Sequence, residues 1–156
     1  IRHEILELKG QKYVGIKTTI LFKDAEKVDF SQLHKDVHAA SIKDIDQDEH
    51  FMAMDTDFTE SSFSYTPLVP VRSFDNNEGY THFTRKQGKY CAFEVKARDL
   101  NPAWFKKVFE YIEENRINIE NTGYDLEYYD ENYLTMIGSQ DFSAERVLKI
   151  LLKMQS

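Results

Sequence analysis

The stretch Gly123-Tyr124-Asp125-Leu126-Glu127-Tyr128-Tyr129-Asp130 sets an acid among aromatic residues on what reads as a short strand. A carboxylate beside tyrosine rings suits the capture of bulky, flat cations. Ring faces attract positive charge through their quadrupole, at about 0.5–2 kcal/mol per contact, and a partly desolvated carboxylate adds a charge that water screens poorly. Glu127 and Tyr129 stand two apart, so a strand projects both from one face. Tyr13, Tyr65, Tyr124, Phe93 and Trp104 are the further candidates for the walls of such a pocket. Trp104, the single tryptophan, lies on the apolar face of an expected helix, where a core role competes with ligand stacking.

Other chemistries find weaker support. His34 and His38 stand four apart on an expected helix, but no third ligand accompanies them, and no metal site is assigned. The acidic run Asp44 to Glu49 imitates the start of a calcium loop, yet Glu49 occupies the position that requires glycine. Cys91 alternates onto the same face as Phe93 and Val95, which predicts a buried, inert thiol. There is no phosphate-binding glycine loop, nucleophile elbow or Cys-Cys metal pair, and no cofactor is expected.

The elements that must position these residues are bounded by bulk properties. The chain has 156 residues, 41% of them hydrophobic, which predicts a single domain over 1–156 with one real core. A net charge of −7 excludes a nucleic-acid surface of its own, since a polyanion calls for clustered Lys and Arg. One cysteine excludes an internal disulfide, and no signal peptide or bilayer-length apolar run is present, so a cytoplasmic location is expected. The first residue is Ile1 rather than Met, which leaves open a trimmed terminus or a longer parent carrying a DNA-binding domain.

Residues 11–22 alternate as a half-buried strand, with Val14, Ile16, Ile20 and Phe22 on one side and Tyr13, Lys17 and Thr19 on the other. The run Gln87-Gly88-Lys89-Tyr90-Cys91-Ala92-Phe93 echoes Gly10-Gln11-Lys12-Tyr13-Val14-Gly15-Ile16, aligning Tyr13 with Tyr90 and Ile16 with Phe93. Each copy precedes a helix. The first is capped by Asp29 or Ser31 and carries Phe30, Leu33 and Val37; the second starts at Asn101-Pro102 and carries Trp104, Phe105, Val108, Phe109 and Ile112. Strands follow at 50–55 and 62–71, and at 124–129. The expected fold is therefore α+β: a duplicated strand-helix-strand-strand unit, with pseudo-repeats over about 3–74 and 79–137. One antiparallel sheet carries both helices on one face, with a groove at the seam. A last amphipathic helix is expected over about 143–154, with Val147, Ile150, Leu151 and Met154 on one stripe. It would cap a sheet edge or mediate a dimer, and both monomer and homodimer stay open.

Over roughly residues 3–137 this layout, the Gly-Lys-Tyr strand openings and the late Glu127/Tyr129 pair resemble the GyrI-like family, the effector-binding domain of AraC-type and MerR-type regulators. The resemblance implies a pocket for lipophilic, aromatic cations with Glu127 at its centre. It further implies a role in multidrug sensing or sequestration, most naturally as the effector-binding part of a bacterial transcription regulator. Some similar proteins hydrolyse reactive electrophilic natural products, and that alternative would make Glu127 a general base. Two departures stand out. The family closes with a strand, whereas Leu134-Thr135-Met136-Ile137-Gly138 here gives way to the expected extra helix, and the Pro67-Leu68-Val69-Pro70-Val71 run of the first half is closer to the family's closing pattern.

Overall fold

A computed structural model describes residues 1–156. Nine strands form one antiparallel sheet: β1 (Glu4–Leu8), β2 (Gln11–Gly15), β3 (Thr18–Leu21), β4 (Met52–Thr56), β5 (Ser62–Val71), β6 (Thr81–Arg85), β7 (Gly88–Lys96), β8 (Asp125–Tyr129) and β9 (Val147–Lys153). Four α-helices accompany them: α1 (Phe30–Ala39), α2 (Pro102–Glu114), and the short α3 (Tyr133–Ile137) and α4 (Phe142–Glu145). The sheet runs β1-β7-β9-β8-β4-β5-β2-β6, with β3 continuing β2 along β5. The two halves meet where β8 pairs β4, and strand order is mirrored about that seam.

Asp29 caps α1 by accepting a hydrogen bond from the Gln32 amide, and Asn101 caps α2 by accepting one from the Trp104 amide at 2.8 Å, ahead of Pro102 in the first turn. Both helices lie on one face. Val37 and His34 are the buried residues of α1; Val108 and Ile112 of α2 join Cys91, Phe93, Leu148 and Ile150 in the larger core cluster.

The opposite face is also buried. Tyr13, Met52, Met54, Leu68, Tyr90, Leu126 and Leu151 pack there, covered in part by Leu6, Leu8 and Phe83. The covering comes from the outer strands themselves. The register Glu4↔Ala92 to Leu8↔Gly88 in β1/β7 resumes unchanged as Gln11↔Arg85 to Gly15↔Thr81 in β2/β6. One long two-stranded ribbon thus bends at Lys9-Gly10 and Lys86-Gln87 and joins both ends of the sheet, with β1 and β6 as the outer strands. Arg85 fills the bend. Its guanidinium is 1% exposed, donates to the Lys9 carbonyl and the Tyr13 hydroxyl, and lies 3.3 Å from Glu49.

Two expectations are corrected. The C-terminal run is not a helix. Beyond the single turn of α4, Val147–Lys153 forms β9, a central strand paired with β7 on one side and β8 on the other. Its apolar residues fit either period, and the run fills an otherwise unpaired slot, where two ladders of hydrogen bonds outweigh local helix preference. The second repeat therefore extends to this strand, and the chain closes as the resemblance implies. The first strand is not half-buried either. It breaks at Ile16-Lys17 into β2 and β3, and Tyr13 and Val14 are both fully buried, on opposite faces.

Beside β5, its antiparallel partner, β2 has no room for a side chain at Gly15. A Cβ there would fall inside the Pro67 carbonyl and 2.9 Å from Thr66 Cγ2, whereas Gly79 has open space. Gly15→Ala is expected to lower stability by about 1–3 kcal/mol through overpacking. Gly79→Ala should leave stability unchanged or slightly raised, and urea denaturation of the two variants makes the comparison.

Candidate functional site

On the helix side of the seam, cross-strand register places Asp55 opposite Asp125 and Ala53 opposite Glu127. Asp55 and Glu127 are consequently diagonal neighbours, a separation that side chains bridge. Three carboxyl groups thus share one face across two strands. Sequence periodicity puts them there: residues 53 and 55, and 125, 127 and 129, each alternate onto that face.

Glu127 is 4% exposed. Its Oε1 accepts a hydrogen bond from the Tyr129 hydroxyl at 2.7 Å and lies 3.5 Å from a guanidinium nitrogen of Arg146. Arg146 is itself buried, donates to the Phe142 carbonyl at 2.9 Å, and stacks over the Phe142 ring at 4.5 Å.

A chain of hydrogen bonds runs on from Glu127. Tyr129 meets Tyr65 at 3.3 Å, Tyr65 meets His34 Nε2 at 2.7 Å, His34 Nδ1 meets Tyr133 at 2.6 Å, and Tyr133 meets His38 Nε2 at 3.0 Å. A carboxylate can only accept, so every donor in the chain is fixed. Tyr129 gives its proton to Glu127 and accepts from Tyr65. Tyr65 accepts from His34 Nε2–H, which leaves Nδ1 to accept from Tyr133, and Tyr133 accepts from His38. Burial, with the Arg146 charge and His38 adding to it, holds His34 well below the usual imidazole range and keeps it neutral. With both nitrogens taken by tyrosines, His34 serves as a relay of hydrogen bonds, and its i, i+4 pairing with His38 reflects their shared partner Tyr133.

The carboxyl groups respond to one another. Burial raises Asp55 well above the ordinary carboxylic range, with the Glu127 and Asp125 charges adding to it. Burial, then Glu127, pushes Asp125 up to about 6. Asp125 also borders a groove of about 480 Å³ beside the seam, whose walls include Phe58, Phe109, Ile119, Tyr124 and Leu152. Phe58 and Phe109 are 52% and 50% exposed, unusual for rings of this size. Phe58 stacks on Phe63, which stacks in turn on Phe22.

The structure brings three of the seven sequence candidates together: Glu127, Tyr129 and Tyr65. Tyr124 points to the other face, packs edge-on against Phe83 and borders the groove. Trp104 is half-buried on α2, edge-on to Phe105. Phe93 lies in the same cross-sheet row as Glu127 with Ile150 between them, and packs on Tyr111 as core. Tyr13 is removed from the pocket. It belongs to the opposite face, where its hydroxyl donates to the His50 carbonyl and accepts from Arg85. Sequence reasoning missed Asp55, Asp125, Phe58, Phe109, Tyr133, Phe142 and Arg146. The alternation of residues 125–129 held the signal for Asp125, and that of 53–55 for Asp55.

No family model matches the sequence, and no curated protein is significantly similar to it. Solved structures do share the fold. SAV2435, bound to tetraphenylphosphonium, superposes with a TM-score of 0.67 at 15% identity, covering 100% of this chain and 95% of that one. The C-terminal domain of EcmrR superposes at 0.65 and 15% identity, covering 99% and 98%. In an EcmrR–DNA complex the TM-score is 0.68 at 15% identity, and the match spans 99% of this chain but 57% of the EcmrR chain. This chain thus shares its fold with SAV2435 and with the C-terminal domain of EcmrR.

The raised Asp125 carboxyl has a consequence for stability. The unfolded chain releases this proton near 3.8, the folded protein only near 6, so between those values the folded state binds more protons and stability falls as pH rises. Asp125→Asn removes that loss. The variant should match wild type below pH 3.8 and exceed it at pH 7 by about 1–2 kcal/mol, after allowing for partial exposure. Urea denaturation at both pH values would measure the difference.

Proposed function

We propose that this chain, built on the GyrI-like fold, binds lipophilic aromatic cations in the groove beside the β4–β8 seam, as the ligand-sensing part of a bacterial transcription regulator. The observation that carries the reading is the charge imbalance of the site: Asp55, Asp125 and Glu127 share one face, and Arg146 is the cation paired among them. The groove that reaches Asp125 carries two exposed phenylalanines, Phe58 and Phe109, which supply stacking area, beside a polar rim of Glu120, Asn121, Thr122 and Lys153. Such walls reward shape loosely and favour a broad ligand range. The tetraphenylphosphonium bound by SAV2435 has the same chemistry, four aromatic rings around one positive charge. The likeness to EcmrR, which binds DNA through a chain longer than the matched region, supports the regulator setting. A net charge of −7 fits a module that leaves DNA contact to another part.

The hydrolase alternative fares less well. A general base needs a lone pair free to take a proton, whereas Glu127 Oε1 already accepts from Tyr129 and faces the Arg146 guanidinium, which leaves only Oε2 for that role.

Calorimetric titration with tetraphenylphosphonium tests the proposal. Wild type is expected to bind with a Kd in the micromolar range, about −8 kcal/mol, and neutral triphenylphosphine oxide at least about tenfold more weakly. Glu127→Gln should weaken the cation by about tenfold or more, since it leaves the Arg146 charge unopposed beside the site. Equal affinity for the charged and neutral compounds would remove the cation reading.

A further inference from the structure

We propose that Arg146 determines the charge of the ligand, by cancelling Glu127 from the end of the strand remote from the groove and leaving the groove one uncompensated carboxylate. This inference rests on the cation-binding reading above.

The geometry separates two ends of β8. Asp125 lines the groove, and Glu127 stands two residues farther along the same face. Beyond it, Tyr129 pairs with Leu148 at the start of β9, and Arg146 immediately precedes that strand. The guanidinium therefore reaches Glu127 from behind. It is not a loose surface charge: 7% exposed, it is held by the Phe142 carbonyl and the Phe142 ring as well as by Glu127. Its Nε–H finds no partner in the protein, so charge, more than a complete set of hydrogen bonds, keeps it there. The backbone supports the placement, since the Arg146 carbonyl accepts from the Ala97 amide.

The charges facing the groove and the seam can then be summed by element. From β4 comes Asp55, whose carboxyl burial biases toward the neutral form, and from β8 come Asp125 and Glu127. The segment between β8 and β9 contributes Arg146 and the Tyr133 hydroxyl, α1 contributes neutral His34, and β5 contributes the Tyr65 hydroxyl. At the groove rim, Glu120 lies between two lysines, Lys86 at 3.2 Å and Lys153 at 3.9 Å. With Glu127 matched by Arg146 and Glu120 by lysines, Asp125 is the carboxylate of the groove lining that has no cation within ion-pair distance. A monocation balances it. A dication would bring a second charge that no group answers, and the fixed guanidinium would repel it.

Ethidium and propidium share one phenanthridinium ring system, and propidium adds a quaternary ammonium, so the ratio of their affinities reads charge selection with stacking held constant. The two dyes are titrated by fluorescence into wild type, Arg146→Met, Glu127→Gln, the double variant, and Lys35→Met as a control that removes an exposed cation from α1. Relative to wild type, the propidium-to-ethidium affinity ratio should rise about tenfold or more in Arg146→Met and fall at least about threefold in Glu127→Gln. It should return to within about threefold of wild type in the double variant and stay within about twofold in Lys35→Met. If Arg146→Met fails to fold, Glu127→Gln, nearly isosteric with wild type, decides by whether its ratio falls. A ratio that moves equally in Lys35→Met, or that stays unmoved in Arg146→Met and Glu127→Gln while both dyes bind, would overturn the role of Arg146 alone. Failure of every protein to bind either dye would overturn the cation-binding reading and this inference with it.

Discussion

Placing a carboxylate 4% exposed inside a core of rings and aliphatic chains carries a desolvation cost of several kcal/mol, and the arrangement around Glu127 answers it in three ways. Tyr129 donates a hydrogen bond, Arg146 supplies opposite charge, and burial raises Asp55 across the seam, which favours its neutral form over a further negative charge. The last two segments of the chain, α4 and β9, serve this requirement. Without the Phe142-to-Arg146 turn, no cation would reach Glu127 from the far end of β8. Without β9, nothing would carry that turn into place or cover the second side of β8.

Compensation spreads outward because each hydroxyl that donates must find its own donor. The sequence Glu127, Tyr129, Tyr65, His34, Tyr133, His38 crosses from β8 to β5, to α1 and to α3, so one buried charge orders four elements through hydrogen bonds whose direction it dictates. It also fixes the His34 tautomer, with the proton on Nε2. On the other face the same logic operates with the signs exchanged. Buried Arg85, drawn in by the bend of the long ribbon, is met by the Lys9 carbonyl, Tyr13 and Glu49. The two buried charges lie on opposite faces of the sheet and have no partner in common among these contacts.

Much of this architecture was legible in the sequence, and the failures have physical causes. The duplicated unit, both helix caps and the Glu127/Tyr129 pair followed from periods and cap residues that act locally. The C-terminal strand did not, because Val147 to Lys153 carries apolar residues compatible with both helix and strand, and the choice is made by β7 and β8, far away in the chain. That one misassignment also concealed Arg146. On a helix from 143 to 154 it would have been one more solvated charge, whereas at the entry to a central strand it has nowhere to point but inward. Tyr13 misled for a related reason. A strand buried on both faces shows no polar side, so alternation cannot say which tyrosine faces the helices.

The duplication itself explains why a site arises at β4–β8 and not elsewhere. Every other inner strand pair lies within one half and is sealed by that half's own helix. At the seam, two helices approach from opposite halves, and the floor beneath them is made of one strand from each. Symmetry would equip both strands alike, and both do carry acids there. Only β8, however, is followed by a segment that bends back with a buried cation, while β4 runs directly into the β5 hairpin. The seam is thereby polarised: paired charge at its Tyr129 end, and a carboxylate open to the phenylalanine-walled groove at its Asp125 end. An aromatic, singly charged ligand of the kind proposed would match that gradient in one orientation, rings toward Phe58 and Phe109 and charge toward the strand. A ligand that depends on many hydrogen bonds would find the tyrosines and His34 of the seam already engaged with one another.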